Sequence, residues 1–248
     1  MLAPARSMSP VLSPHSLGTI TGNAAQSPLA SSEVTADTSG NTPLPFELAG
    51  ASVSINGRAA PLLYVSPSRI AFLVPQNMSQ GEVEVIVTSQ DGYVSRGTTV
   101  VNAVAPALFI ASGDGAGQVL VLNGNEPAVS SFDVLSPHAP GTDKRTRVML
   151  FATGISAGAA NLYADNDVRT DNGGTIGNLA ESLTVEARTA DGRLFQLPVE
   201  FAGAPGGRMP GLDQIKVLLH PELRGAGLVD LTIIINGQCS NTAAINVR

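Results

Sequence analysis

The stretch EVEVIVT, residues 82–88, indicates the fold class more clearly than any other part of the sequence. Its polar and apolar residues alternate with a period of two, which is the pattern of a β-strand with one buried face and one wet face. Asp91-Gly92 follows shortly afterwards, and this dipeptide favours a tight hairpin turn. The stretch therefore predicts an antiparallel hairpin.

Short runs of β-forming residues separated by turn residues continue in both directions from this hairpin. Asn56-Gly57 and Asn236-Gly237 are strong turn signals because both residues of the pair tolerate positive φ. Residues 157–163 are the only part of the chain that could form a helical turn, so we expect an all-β protein. The other predicted strands lie at 53–55, 62–65, 70–74, 147–152, 182–188, 194–201, 215–219 and 228–235.

Spacing of landmark residues predicts an internal duplication. Five pairs of identical residues are separated by 145 or 146 positions: Gly57 and Gly203, Ile70 and Ile215, Pro75 and Pro221, Gly81 and Gly227, Ser95 and Ser240. Gly22 and Gly154 are separated by 132 positions, which places 14 extra residues in the second copy before Gly203. We therefore expect two tandem immunoglobulin-like β-sandwiches, residues 1–105, with 1–45 largely loop, and residues 106–248, with an inserted loop at about 160–177.

Composition excludes several kinds of partner and site. The net charge is −6 and the only lysines are Lys144 and Lys216, so no broad basic surface is available for nucleic acid. The basic cluster at 144–147 is interpreted as the solvated start of a strand. No apolar stretch approaches the roughly 20 residues that span a bilayer. A single cysteine, Cys239, excludes an intrachain disulfide or a cysteine-based zinc site, and its flanks predict a half-buried thiol.

Residues 50–57 (GASVSING) and 60–75 (APLLYVSPSRIAFLVP) resemble the motif of a C-terminal domain family in uncharacterised exported proteins of Acidobacteria. The resemblance covers nearly the whole chain, since residues 106–122 resemble the segment between the family's two copies and residues 147–154 resemble the first strand of its second copy. The first half matches well and the second is more diverged, and the chain departs from the pattern at Arg69 and at the 160–177 insertion. The resemblance implies IPT/TIG-type immunoglobulin-like domains and a secreted or cell-surface location. It implies no activity, because the family has none established.

The first residues do not form a signal peptide, since no charged segment precedes an apolar one. Two interpretations stay open from the residues alone: the protein is cytoplasmic, or an export signal has been removed. The resemblance to exported proteins favours the second.

The sequence Gly154-Ile155-Ser156-Ala157-Gly158 matches the nucleophile elbow of serine hydrolases and follows a predicted strand. Asp213 and His220 follow in the chain order of a Ser-Asp-His triad. An elbow requires a helix after the serine, and no helical pattern of adequate length occurs. We expect a protein that is not an enzyme, and a hydrolase using Ser156 is the lower-ranked alternative.

Three carboxylates, Asp165, Asp167 and Asp171, lie in the predicted insertion among hard oxygen ligands of the type that calcium prefers. The spacing fails the helix-loop-helix calcium pattern, because Arg169 occupies a ligand position and no glutamate closes the loop. A polar loop is the preferred interpretation, and a calcium site at these three residues is the alternative. No other cofactor is predicted.

The leading functional hypothesis is a non-enzymatic extracellular structural or adhesive module. Few lysines and many β-formers leave sheet edges poorly protected, so the chain is expected to pair with itself, as a homo-oligomer or filament, or with other surface proteins. The alternative is a carbohydrate-binding or accessory domain of a larger exported protein. Glycan binding predicts exposed aromatic platforms, and only Tyr93 and Tyr163 are expected to face solvent.

Overall fold

A computed structural model describes residues 3–4, 11–25, 27–38, 43–110, 121–123, 126–127, 131–136, 142–155, 178–204 and 210–248. These residues form strands and a 3₁₀ turn, Pro221–Leu223, and contain no α-helix. No helix among them is long and apolar enough to cross a membrane. The strands in chain order are β1 (Ala3–Pro4), β2 (Val11–Leu12), β3 (Leu17–Thr21), β4 (Val34–Thr35), β5 (Glu47–Leu48), β6 (Ala51–Ile55), β7 (Arg58–Ala59), β8 (Leu62–Ser66), β9 (Arg69–Leu73), β10 (Gly81–Thr88), β11 (Val94–Val101), β12 (Ala107–Ile110), β13 (Val121–Asn123), β14 (Glu126–Pro127), β15 (Arg147–Thr153), β16 (Leu183–Thr189), β17 (Leu194–Leu197), β18 (Val199–Gly203), β19 (Asp213–Leu218), β20 (Gly227–Ile235), β21 (Gln238–Cys239) and β22 (Ala243–Val247).

The hairpin predicted from residues 82–88 is confirmed. Strands β10 and β11 pair antiparallel along their full length, from Gly81 opposite Val101 to Thr88 opposite Val94. The two Asn-Gly turns are also as predicted, since Asn56 and Asn236 have φ of 46° and 50° and are each followed by a glycine of positive φ. Two consecutive left-handed residues match the twist of the flanking strands.

The described strands form four sheets. In the first half of the chain, a sheet of order β2-β11-β10-β6-β5, with β7 also paired to β6, faces a sheet of order β3-β9-β8-β4. In the second half, β16 and β20 lie at the centre of a sheet with β17, β21 and β22, and β15 is central to a sheet that includes β12, β13, β18 and β19. The all-β, immunoglobulin-like sandwich class is confirmed.

The buried apolar side chains of the described residues fall in two clusters. The first is drawn from residues 29–101 and includes Ile55, Leu62 and Phe72, contributed by both sheets of the first half. The second is drawn from residues 104–247 and includes Leu150 and Ile215. Strand β1 pairs with β12, so part of the predicted 1–105 unit lies in a sheet of the second half. The division into two domains stays a prediction.

Strand pairing in the second half follows the same order as in the first. β3 pairs with β9 and β6 with β10, while β15 pairs with β19 and β16 with β20. Gly81 and Gly227 begin β10 and β20, the last strand of each set of four, and both have positive φ. Gly57 and Gly203 do not correspond, because Gly57 lies in a hairpin turn and Gly203 ends β18. The duplication stays a prediction that these pairings support.

The segment 1–45 contains more strand than the sequence indicates. Leu17–Thr21 pairs with β9 along five residues, and Val34–Thr35 pairs with β8. Residues 17–21 (LGTIT), which lie in the segment predicted to be largely loop, therefore form a strand. The sequence did not predict this strand because polar residues surround it. A strand at the edge of a sheet can have such neighbours because it buries only part of its surface.

The single strand predicted at 194–201 is wrong. Residues 194–197 pair with β16, residues 199–203 pair with β19, and Pro198 separates the two strands. Proline has no N–H to donate to a continuous ladder. The chain therefore changes sheets at this residue.

Candidate functional site

Most residues predicted to form sites lie outside the described part of the chain. This applies to Ser156, to the calcium candidates Asp165, Asp167 and Asp171, and to the whole 160–177 insertion. Among the described residues, no group of three His, Cys, Asp or Glu side chains is placed to hold a metal ion. The calcium site stays a prediction.

Asp213 and His220 do not form an acid–base pair. Asp213 begins β19 and His220 follows its far end, so a strand of about 16 Å separates them at ~3.3 Å per residue. The buried carboxylate of Asp213 accepts a hydrogen bond from the Ile155 N–H at 3.1 Å. His220 stacks on Phe195 with ring centroids 4.9 Å apart and accepts the Glu222 N–H at the start of the 3₁₀ turn. The triad that uses these two side chains is wrong.

Gly154 has a structural role that explains the first position of the elbow-like motif. Its φ is +78°, and a Cβ placed on it would lie 2.1 Å from the carbonyl oxygen of Ala105. The neighbouring Thr153 hydroxyl accepts the Leu17 N–H at 2.8 Å and donates to the Gly211 carbonyl at 2.6 Å. Glycine is therefore required where the first and second halves of the chain meet.

The basic cluster at 144–147 is largely neutralised by neighbouring carboxylates. Arg145 contacts Asp143 at 2.6 Å, and Arg147 contacts Glu200 at 2.8 Å. Hydrogen bonds from Arg145 lower the pKa of the Asp143 carboxyl to about 2. These solvated ion pairs support the interpretation of a strand start and leave little cationic surface for an anion.

The cysteine prediction is wrong, because Cys239 is exposed. Cys239 lies opposite Ile234, and the neighbours of Ile234 in β20, Ile233 and Ile235, both point into the core. Side chains alternate between the faces of a strand, so Ile234 and Cys239 share the outer face.

The outer edge of β11 is the most open strand edge that the structure describes. β11 pairs with β2 only at Val100 and Val101, so residues 94–99 face no other described strand on that side. The Asn102 N–H donates to Leu12 in β2, whereas the Tyr93 carbonyl accepts from Ser89 on the β10 side. Backbone groups alternate in direction along an antiparallel strand, so the N–H and C=O groups of Arg96 and Thr98 point outward.

A cleft of about 270 Å³ lies beside this edge, between β11 and β3. We name it the edge cleft. Its apolar wall is formed by Leu12, Ile20, Phe72, Val85 and Val87, and residues 95–99 of β11 form its rim. The cleft therefore opens onto the core between the two sheets of the first half.

Gly97 leaves part of the edge cleft unfilled. It lies opposite Val85 in the β10–β11 ladder, on the face where Val101 is buried. A Cβ placed on Gly97 would meet no atom of the described chain within 4 Å. Gly18 in β3 shows the contrast, because a Cβ there would lie 2.4 Å from the Phe72 ring. Gly18 therefore makes room for the Phe72 ring, whereas Gly97 leaves space unfilled on the core-facing side of β11.

The charges near the edge cleft lie on the outer face of the sheet. Arg96 has the opposite parity to the buried Val101, and its guanidinium contacts Glu84 at 2.9 Å. Both side chains are largely exposed, so the pair is solvated. The cleft itself therefore presents aliphatic and aromatic surface with a hydroxyl-bearing rim.

Exposed aromatic side chains are sparse in the described residues. Tyr93, beside the start of β11, is 66% exposed, as predicted, and Phe46 is 56% exposed. Tyr163 lies outside the described residues.

No family model and no curated protein matches the sequence. Among solved structures, the chain is similar to the Bacteroides ovatus mixed-linkage glucan utilization locus protein SGBP-B in complex with a mixed-linkage heptasaccharide, at 11% identity and a TM-score of 0.35, covering 98% of this chain and 46% of that one. It is also similar to domains 5–6 of the S-layer protein SbsC (14% identity, TM-score 0.27, 100% and 97% covered) and to bovine butyrophilin (8%, 0.25, 98% and 97%). The chain thus spans less than half of the glucan-locus protein.

Sequence reasoning missed the edge cleft, although one signal was present. In VSRGTTVV, residues 94–101, the core-facing positions are Ser95, Gly97, Thr99 and Val101, so the apolar alternation of β10 is not matched by its partner. A strand whose inward positions are small or polar next to an apolar strand indicates an uncovered stretch of core.

Proposed function

We propose that this chain is a non-enzymatic extracellular structural or adhesive module that binds another protein chain by strand addition at the outer edge of β11. In strand addition, an extended segment pairs with an exposed sheet edge, and main-chain hydrogen bonds supply the affinity. The single observation that carries the proposal is the edge at residues 94–98, which no other described strand covers and where the backbone N–H and C=O groups of Arg96 and Thr98 point outward.

Within the described residues, the edge of β11 lacks the features that usually protect a strand edge against pairing. Natural edge strands are commonly short, bulged, or interrupted by proline or lysine. The ladder of β10 with β11 runs eight residues without a shift in register, and residues 94–99 contain neither proline nor lysine. By contrast, β4 and β5 are two residues long, and β17 ends at Leu197, directly before Pro198. β11 is therefore better suited to receive a strand than these three edges.

The proposed extracellular location and the proposed lack of enzymatic activity are supported by different observations. The extracellular assignment follows the resemblance of residues 50–75 to exported proteins. The non-enzymatic assignment follows the separation of Asp213 from His220 along β19. A glycan ligand has weaker support, because the exposed aromatics described are Phe46 and Tyr93, one ring each.

The test uses one substitution that removes an outward-facing donor and one that keeps it. Thr98→Pro deletes an N–H that points away from β10 and so leaves the β10 ladder in place. Thr98→Val keeps the N–H and the strand propensity. We expect a short labelled peptide of alternating threonine and valine, with terminal lysines for solubility, to bind the unaltered chain and Thr98→Val but not Thr98→Pro, measured by fluorescence anisotropy.

Light scattering across concentration identifies whether a second copy occupies the edge. Growth in mass that Thr98→Pro abolishes makes the partner another copy of this chain, and a constant monomer that binds the peptide makes it a different protein. Equal peptide binding by all three chains, or none by any, contradicts the proposal. Circular dichroism of Thr98→Pro confirms that the variant is folded.

A further inference from the structure

We infer that the edge cleft is a side-chain pocket, and that the segment added to β11 carries an aliphatic side chain at the position beside Gly97. This inference rests on the proposed function, because the added strand must be held by the β11 edge. It specifies the chemistry of the partner: an extended peptide segment of a protein with an aliphatic residue facing inward.

Strand geometry directs a side chain of the added strand into the edge cleft. Residues that lie side by side on neighbouring strands project to the same face of the sheet. A residue beside Gly97 on an added strand would therefore project toward the core, where Gly97 itself contributes no side chain. The space in that direction is bounded by Val85 on one sheet and by Ile20 and Phe72 on the other.

The volume of the edge cleft favours a single side chain over a larger ligand. A cleft of about 270 Å³ is below the ~300–1,000 Å³ typical of small-molecule sites. It exceeds the ~150 Å³ of an engineered cavity that holds benzene. An aliphatic side chain such as leucine fits these bounds.

Polarity excludes a charged side chain. The wall is aliphatic and aromatic, and the nearest guanidinium, Arg96, is engaged by Glu84 on the outer face. An ionised group inserted beside Phe72 would lose its hydration without gaining a charged partner. The rim hydroxyls of Ser95 and Thr98 can still hydrogen-bond to polar residues that flank the inserted side chain.

The second half of the chain shows how the space that corresponds to the edge cleft is filled. β15 pairs with β19 as β3 pairs with β9, and β12 lies against the outer side of β15. β12 is an extended segment whose Leu108 and Ile110 are buried in the second core. The Asn241 side chain accepts the Leu108 N–H at 2.8 Å and donates to its carbonyl at 3.3 Å. An extended segment with aliphatic side chains thus fills the space beside β15 in the second half. No described segment fills the corresponding space beside β3 in the first half, which is the edge cleft.

The experiment is a cycle of peptide and protein variants. Peptides with alternating threonine and valine carry glycine, alanine, leucine or aspartate at the central inward position. They are titrated against the unaltered chain, Gly97→Ala and Gly97→Val. These substitutions add one and three carbons to the open space and should leave the protein folded, which thermal unfolding checks.

We expect the leucine peptide to bind the unaltered chain at least roughly tenfold more tightly than the glycine peptide, with aspartate weakest. Gly97→Val should remove this advantage while leaving binding of the glycine peptide unchanged, and Gly97→Ala should reduce it in part. Equal affinities for glycine and leucine peptides, with no effect of Gly97→Val, overturn the pocket but leave strand addition intact. Absence of binding by every peptide overturns strand addition itself.

Discussion

Replacement of Gly154 by alanine should destabilise the protein more than the same replacement at Gly57. The two glycines have nearly equal φ, +78° and +75°, so the left-handed backbone penalises alanine similarly at both, by about 1–2 kcal/mol. At Gly57 a Cβ would meet no atom of the described chain within 4 Å. Gly57→Ala therefore measures the backbone penalty alone.

Gly154→Ala adds a steric penalty. The new Cβ would lie 2.1 Å from the Ala105 carbonyl oxygen and 2.8 Å from its carbon, so this peptide group must move. Movement disrupts the Ala105 N–H bond to the Gly154 carbonyl, 3.0 Å long, at a cost of about 1 kcal/mol. We expect a total loss of about 2–3 kcal/mol for Gly154→Ala, against about 1–2 kcal/mol for Gly57→Ala.

Urea unfolding followed by far-UV circular dichroism measures both losses, and this optical probe suits a chain without tryptophan. Comparison of midpoints at equal slope gives the difference between the variants directly. If Gly154→Ala loses no more stability than Gly57→Ala, the close approach of Ala105 does not constrain the junction. The structural explanation of the elbow-like glycine would then be refuted.

Two further predictions concern the half-buried His15 and the buried Asp213. Burial lowers the pKa of His15 below its ordinary value of 6.5, so stability should be fully present above pH 6.5 and should decline as the pH falls below it. His15→Asn tolerates the φ of 63° and should flatten this decline in urea titrations across pH, and an unchanged pH profile would contradict the assignment. Asp213→Ala leaves the Ile155 N–H without its acceptor and should cost about 1–3 kcal/mol, whereas Asp213→Asn keeps an acceptor oxygen and should cost less. Equal losses in chemical denaturation would show that this hydrogen bond is not what makes Asp213 important.

Local chemistry made part of the fold predictable. The Asn-Gly turns and the 82–88 hairpin depend on residues adjacent in sequence, and the structure has each of them. The choice of sheet depends on distant residues instead. Pro198 divides a run that reads as one strand, because residues on its two sides pair with β16 and β19, which lie in different sheets. Periodicity alone gives no sign of this change of partner.

The candidate site was not predictable for a related reason. The edge cleft exists because few described residues cover this part of the core. The sequence around Gly97 does not show that β2 pairs with β11 only at Val100 and Val101. The sequence did predict poorly protected edges from composition. It could not indicate which edge is open, because that depends on where β2 begins to pair with β11.

Stability alone does not account for Gly97. Glycine within a strand loses more backbone entropy than other residues and contributes no packing. Here a larger side chain would meet open space over Val85, so Gly97→Val should raise the stability of the free chain by filling the cleft. A position where a simple substitution improves the isolated fold is one where another requirement is expected. If Gly97→Val stabilises the chain and also abolishes the preference for the leucine peptide, that requirement is access to the core for a partner's side chain. If it stabilises the chain without affecting the peptides, the open cleft is a packing defect.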